Sequence, residues 1–268
     1  MTAAPLDVTW IHGSDSAKHN TDPDLQVYRH DDRSVILRQN KAVNYEAPFL
    51  YLLSGDDRSV LIDTGATKSA EFFPLRAVVD ELIGDGELLV LHSHGHGDHI
   101  AADAQFADRP RTTVVTAEVD AVRAFFGFDD HDVATLELGG RTLDAIFTPG
   151  HQVSAVTFFD PGTGWLLTGD NVYPGRLYVR DPAEFADSID RTIALAESRP
   201  VTHVLGCHIE MTTQPGVDYP VLTTWQPDEQ RLEMTVDQLR DVRAALREVD
   251  GRPGEHVFPD FLICVVDD

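Results

Sequence analysis

The sequence is poor in cysteine, in positive charge and in long apolar runs. Only two cysteines, Cys207 and Cys264, occur in 268 residues, which excludes a disulfide framework as the basis of the fold. Each sits among apolar neighbours, in Val204-Leu205-Gly206-Cys207 and Leu262-Ile263-Cys264-Val265, and reads as a buried thiol. Lys and Arg total 21 against 45 Asp and Glu, for a formal net charge of −24. Such a surface repels phosphates and anionic lipid, so neither nucleic acid nor membrane is an expected partner. No apolar run approaches the length of a membrane span, and no basic-then-apolar leader is visible. A soluble cytoplasmic protein acting on a small molecule is expected. Low-complexity linkers are missing too, while hydrophobic residues make up 42% of the chain. One domain over 1–268 is expected, with 1–24 as a polar surface segment anchored by Trp10 and Ile11.

What the chain does have is histidine concentrated in one place. Leu91-His92-Ser93-His94-Gly95-His96-Gly97-Asp98-His99 follows an apolar strand-like run and precedes a helix-like one. Four imidazoles and a carboxylate on one turn are costly as core and serve no purpose as surface. Binding a metal ion is the ordinary reason for such a cluster.

The apolar pattern predicts strands over 27–37, 49–53, 60–63, 113–116, 134–138, 143–148, 156–159, 165–168, 201–205 and 261–266. Helices are predicted over 71–82, from 100 onward, over 119–126, and after two capping signatures. These are Asp181-Pro182-Ala183-Glu184 and Thr235-Val236-Asp237-Gln238. The fold class is α/β (α+β), with strands in mixed runs and helices in both halves of the chain; that these form two mixed sheets face to face with helices outside, each half supplying one sheet, leans on the resemblance described below.

Several polar groups recur where an apolar strand ends: Asp63, the 94–99 cluster, His151, Asp170 and His208. Loops at strand ends gather on one sheet edge, so these groups can converge. His94 and His96, two apart on an extended turn, point the same way. One ligand set is His94, His96 and His151; a second is Asp98, His99 and His208. Asp170 is the natural bridge between two divalent ions. Asp63 fits better as a support that accepts the outer N–H of a ligand His. His92 and His203 read as structural.

This pattern, His94-x-His96-x-Asp98-His99, then His151, Asp170 and His208, with Asp63-Thr64-Gly65 upstream, resembles the metallo-β-lactamase fold superfamily. The resemblance spans about 25–210. It implies a four-layer αβ/βα sandwich with a binuclear site, usually zinc, at the sheet edges. The bridging Asp170 is similar to that of the glyoxalase II, lactonase and thioesterase-like branches; the zinc β-lactamases generally lack it. The chain departs from the glyoxalase II pattern after His151, where Gln152-Val153-Ser154-Ala155-Val156 replaces the usual Thr/Ser-x-Gly-His/Ser run. It also has no basic C-terminal cluster to meet a glutathione carboxylate.

The expected activity is hydrolysis of an ester, thioester or lactone by a hydroxide bridging two Zn2+ ions about 3.5–4 Å apart. Iron or manganese could replace zinc. An iron-dependent oxygenase of the sulfur dioxygenase kind and a β-lactamase-like amide hydrolase are the alternatives within this fold. Asp98 would orient the hydroxide or shuttle its proton. Tyr173 and Tyr178 are candidate donors to an oxyanion, Arg176 a candidate partner for a substrate carboxylate, and Lys41 and Tyr45 candidate pocket residues on the 41–46 loop. Trp165, Trp225 and the C-terminal helix are candidate contacts of a homodimer.

Overall fold

Apolar side chains along the strands alternate between two faces, and both faces are covered. The computed structural model describes residues 5–16, 18–129 and 132–266; residues 1–4 and 17 of the N-terminal segment lie outside the described residues. Strands β1 (Leu25–Asp31), β2 (Ser34–Gln39), β3 (Phe49–Ser54), β4 (Arg58–Ile62), β5 (Glu87–Leu91) and β6 (Thr112–Val114) form a six-stranded sheet in that order. It is antiparallel as far as β4 and parallel beyond. Helix α1 (Leu75–Ile83) makes the crossover from β4 to β5, and α2 (Gly97–Ile100) with a 3-10 turn (Asp103–Phe106) follows β5.

Helix α3 (Val119–Phe126) leads into β7 (Ala134–Glu137), β8 (Thr142–Phe147), β9 (Val156–Asp160) and β10 (Trp165–Gly169). Next come β11 (Arg176–Val179), α4 (Pro182–Ser198), β12 (His203–Gly206), β13 (Glu233–Met234), α5 (Val236–Val249), β14 (Gly254–Val257) and β15 (Leu262–Val265). The second large sheet has the order β13-β12-β10-β9-β8-β7, and a small sheet has the order β11-β15-β14.

Between the large sheets Ile36, Tyr51, Leu53, Val60, Ile62 and Leu91 meet Leu143, Phe158, Trp165, Leu167 and Leu205. The alternate residues Leu37, Leu50, Leu52, Leu61 and Val90 face outward onto Leu75 and Val79 of α1. On the far side Phe159, Leu166 and Val204 pack against Phe185 and Ile189 of α4 and Leu239 and Val242 of α5. Strands buried on both faces read as continuous apolar runs, and each large side chain so buried stabilises by about 1.5–3 kcal/mol. The result is the helix–sheet–sheet–helix sandwich expected, with the small sheet as an addition.

The capped helices form as the sequence suggests. The Asp181 carboxylate accepts from the N–H groups of Ala183 and Glu184, and Thr235 and Gln238 complete a capping box. Elsewhere the local pattern misleads. The helix expected over 71–82 starts only at Leu75, because Pro74 at its N-cap disfavours a helical backbone in the residue before it. Phe72, expected on the buried face, is consequently 55% exposed. The single strand expected over 27–37 is a hairpin, β1 and β2. Trp165 has no exposed surface and belongs to the core, so it cannot serve a dimer contact; Trp225 is half exposed. Among the described residues no helix is long and apolar enough to cross a membrane.

Arg141 ties the sheets together. Its Nε and Nη2 donate to the buried Asp160 carboxylate at 2.9 and 2.5 Å, while Nη1 donates to the carbonyls of Arg33 and Ser54 at 2.8 and 3.3 Å. Removing one partner of a buried pair strands the other charge, at a cost of about 3–5 kcal/mol. Arg141→Met is therefore expected to lose about that much stability in a urea titration, and a loss below about 1 kcal/mol would contradict this role.

Candidate metal centre

The site is assembled from strand ends. Asp63 follows β4, His92 to His94 follow β5, His151 follows β8, Asp170 follows β10 and His208 follows β12. Helix α2 supplies Asp98 and His99, and His96 stands at its N-cap. The chain approaches so closely here that only glycine fits at 169: a Cβ on Gly169, which has φ +55°, would lie 2.7 Å from Ser93 Cβ.

Two groups of side chains converge. The ring nitrogen His96 Nδ1 lies 3.0 Å from His94 Nε2 and 3.1 Å from His151 Nε2. Asp98, His99, Asp170 and His208 gather beside them. Asp170 faces both groups. Its Oδ2 is 3.8 Å from His94 Nε2 and 3.7 Å from His151 Nε2, while its Oδ1 is 3.5 Å from His99 Nε2 and 3.4 Å from His208 Nε2. The Asp98 carboxylate lies 3.1 Å from His99 Nε2 and 3.3 Å from His208 Nε2.

Outer partners set the imidazole tautomers. His151 Nδ1 donates to the Tyr178 carbonyl at 2.9 Å, His208 Nδ1 to the Glu46 carbonyl at 3.0 Å, and His99 Nδ1 to Asp63 at 2.9 Å. Each ring thereby turns Nε2 into the site, where, in the neutral form, its lone pair is free to bind a cation. Asp63 also accepts from Ser93 N, Ser93 Oγ and Cys207 Sγ. His92 is buried with Nε2 3.3 Å from Asp103, outside both groups. Cys207 and Cys264 are free, buried thiols.

The two groups differ electrostatically. Burial pulls His94 well below the ordinary imidazole range and lowers His96 to about 4; burial also lowers His151. These rings are neutral acceptors. Burial works in the same direction on His99 and His208, but the neighbouring carboxylates outweigh it, Asp170 foremost, and raise both; His208 reaches about 9. For Asp98 and Asp170 burial pushes upward, yet the facing imidazoles hold both carboxyls well below the usual range. Within this arrangement His99 Nε2 and Asp170 Oδ1 are buried with no hydrogen-bond partner. Converging lone pairs, ionised carboxylates and orphaned buried atoms are the donor set of a divalent cation.

The sequence model of the metallo-beta-lactamase superfamily matches residues 46–208, the stretch that carries all seven candidate metal ligands and Asp63. The chain belongs to this superfamily. It is 32% identical to the hydroxyacylglutathione hydrolase of Rhodobacter capsulatus over 162 residues, 58% of this chain and 60% of that protein. With the hydroxyacylglutathione hydrolase of Rhizobium meliloti it shares 26% over 184 residues, covering 62% and 70%. The chain thus spans less than two thirds of the first relative's length. A metallo-beta-lactamase from Pontibacter korlensis superposes with a TM-score of 0.56 at 18% identity, over 83% of this chain and 99% of that one. One from Erythrobacter litoralis gives 0.55 at 16%, over 70% and 91%. These structural likenesses concern the fold.

A cavity opens beside the centre. Asp98, Asp170 and His208 form its floor, and Lys41, Tyr45, Tyr173, Arg176 and Tyr178 all line it. Their environments differ. The Tyr173 hydroxyl is buried and donates to the Arg176 carbonyl. The Tyr178 phenol is half-buried and pushed up to about 12, chiefly by burial. Tyr45 reaches about 12 through a hydrogen bond to Glu46. The Arg176 guanidinium is engaged by Glu210, Asp218 and the Tyr219 carbonyl. Ser93, Cys207 and the Glu46 and Tyr178 carbonyls were not singled out by sequence; the adjacency of Ser93 and Cys207 to ligand histidines was the available signal.

Lys41 Nζ donates to the Tyr45 carbonyl at 3.2 Å, and burial lowers this ammonium from 10.5 to about 8. Between those values the unfolded chain holds the proton that the folded chain has released, so stability rises with pH across that window. Wild type is expected to gain stability relative to Lys41→Met as pH goes from 8 to 10.5, read from urea midpoints; parallel pH curves would show that Lys41 is not perturbed.

Proposed function

We propose that this chain is a binuclear, zinc-dependent hydrolase of esters, thioesters or lactones. The observation that carries the reading is Asp170, which turns one carboxylate oxygen to each ligand group. His94, His96 and His151 would hold one ion; Asp98, His99 and His208 would hold the other, with Asp170 between them. Bound there, the ions supply Lewis acidity, lowering the pKa of a water from about 15.7 toward neutrality and polarising the scissile carbonyl. The name of the relatives, hydroxyacylglutathione hydrolase, supports an acyl-transfer-to-water reaction on a thioester.

The protein's own groups have defined parts in this reading. Asp98 stays ionised at neutral pH and accepts a hydrogen bond from the attacking water, which it orients toward the carbonyl. Asp63 holds His99, and the Tyr178 and Glu46 carbonyls hold His151 and His208, so the nitrogens are set before any ligand arrives. Tyr178, protonated at neutral pH, donates to the oxygen that gains charge as the carbonyl is attacked. Tyr173 braces the wall through the Arg176 carbonyl.

Purified protein should carry about two zinc ions per chain by elemental analysis and cleave at least one class in a panel of esters, thioesters, lactones and β-lactams. Iron in place of zinc with no hydrolysis would point to the oxygenase alternative. Tyr178→Phe is expected to lower kcat by about 10²-fold with bound metal retained. An unchanged kcat would remove Tyr178 from the reaction.

A further inference from the structure

The cavity beside the centre contains almost no free positive charge. Away from Asp98, Asp170 and His208, which would hold the ions, its carboxylates are Glu46 and Glu210 and its cations are Lys41 and Arg176. Arg176 is neutralised where it stands. Its Nη1 lies 3.1 Å from Glu210 Oε1, its Nη2 meets Asp218, and the second Glu210 oxygen accepts its backbone N–H at 2.7 Å. Lys41 is buried, donates to the Tyr45 carbonyl, and lies in the field of the buried Glu229. Just beyond Asp218 in the chain, Pro220, Val221 and Leu222 give the cavity an apolar stretch of wall, and Val221 and Leu222 are 57% and 64% exposed. The net charge of −24 adds repulsion toward any anion.

From this juxtaposition we infer that the site selects acyl substrates whose leaving group is uncharged and apolar, and disfavours carboxylate-bearing thiols such as glutathione. The inference rests on the hydrolase reading and departs from the name of the relatives. The selecting elements are the Glu210–Arg176–Asp218 clamp, which occupies the guanidinium that a substrate carboxylate would need, and the Pro220–Leu222 rim, which covers an alkyl or amide-linked chain. In the reaction, water oxygen bonds to the acyl carbon, the acyl–S or acyl–O bond breaks, and the proton ends on the departing thiol or alcohol. A leaving-group carboxylate brought against the cavity wall away from the ions loses its hydration and finds no free partner there, a cost of about 1–3 kcal/mol for each group.

The test uses matched pairs on the zinc-loaded protein. S-hexanoyl-glutathione and S-hexanoyl-N-acetylcysteamine are compared as substrates. Their inert thioethers, S-hexylglutathione and S-hexyl-N-acetylcysteamine, are compared as ligands by calorimetry. The neutral member of each pair is expected to give the lower KM and the lower Kd, by about tenfold or more. Asp218→Asn frees one side of Arg176 and should narrow both gaps by strengthening the glutathione member. Leu222→Asp should weaken the neutral member; Leu222 already has φ +72°, a conformation Asp adopts readily, so the loop keeps its course. Equal or tighter binding of the glutathione thioether overturns the inference, and so does an Asp218→Asn variant with an unchanged gap. If neither thioester is cleaved, the thioester branch of the hydrolase reading fails, while the thioether pair still decides the selectivity.

Discussion

A single buried carboxylate joins the parts of this site. Asp63 has φ +69°, a left-handed backbone that a non-glycine residue adopts at a cost of about 1–3 kcal/mol. From that position it accepts hydrogen bonds from Ser93 N and Oγ, His99 Nδ1 and Cys207 Sγ. These donors come from the end of β5, from α2 and from the end of β12, so one side chain fixes the turn of the first sheet against the edge of the second. The strain is offset by these four hydrogen bonds to a fully buried carboxylate. Among the candidate ligands His99 is held by this joint directly and His208 through its neighbour Cys207.

The site's charges are arranged so that neither sheet bears the whole cost of burial. The His94, His96 and His151 group is neutral and buries no charge of its own. The second group pairs ionised Asp98 and Asp170 with imidazoles whose pKa values those carboxylates raise. Each partner lowers the other's cost of burial, but His99 Nε2 and Asp170 Oδ1 still lack hydrogen bonds. An arrangement that is only partly satisfied by protein atoms gains most from a cation, and binding to the folded chain alone would add to its stability.

The convergence of the candidate ligands was legible in the sequence because their residue types are rare in core contexts and they sit where an apolar strand stops or, for His96, Asp98 and His99, on the helix start that follows one. The individual strands and two of the helices were legible for a similar reason, since the doubly buried strands are plain apolar runs and the helices carry complete caps, whereas the two-sheet sandwich was legible through the family resemblance. The small sheet was not. Arg176 to Val179 follows Pro174-Gly175 and mixes Arg and Tyr with apolar residues, so it read as loop; it becomes β11 by pairing in parallel with β15 from the far end of the chain. The clamp on Arg176 was equally hidden. Ion pairs among Arg176, Glu210 and Asp218 have no period and no local spacing, and only the folded chain brings them together.

The N-terminal segment has a consequence for the pocket that its polar sequence conceals. Ser14 N donates to the Thr224 carbonyl and Thr224 Oγ1 to the Ser14 carbonyl, both at 2.9 Å, and Gln226 N donates to the His12 carbonyl at 2.9 Å. Gly13 presses so close to Thr224 that no Cβ fits between them. From beneath, Arg38 holds Glu229 in a buried pair at 2.6 Å, stacked over Phe49. The irregular stretch from 218 to 229 is therefore stitched to the body at several points and behaves as a preorganised wall instead of a swinging flap. Binding against it forfeits little loop entropy. The same stitching makes residues 12–14, far from the metal ligands in sequence, part of the mould that shapes what the centre can accept.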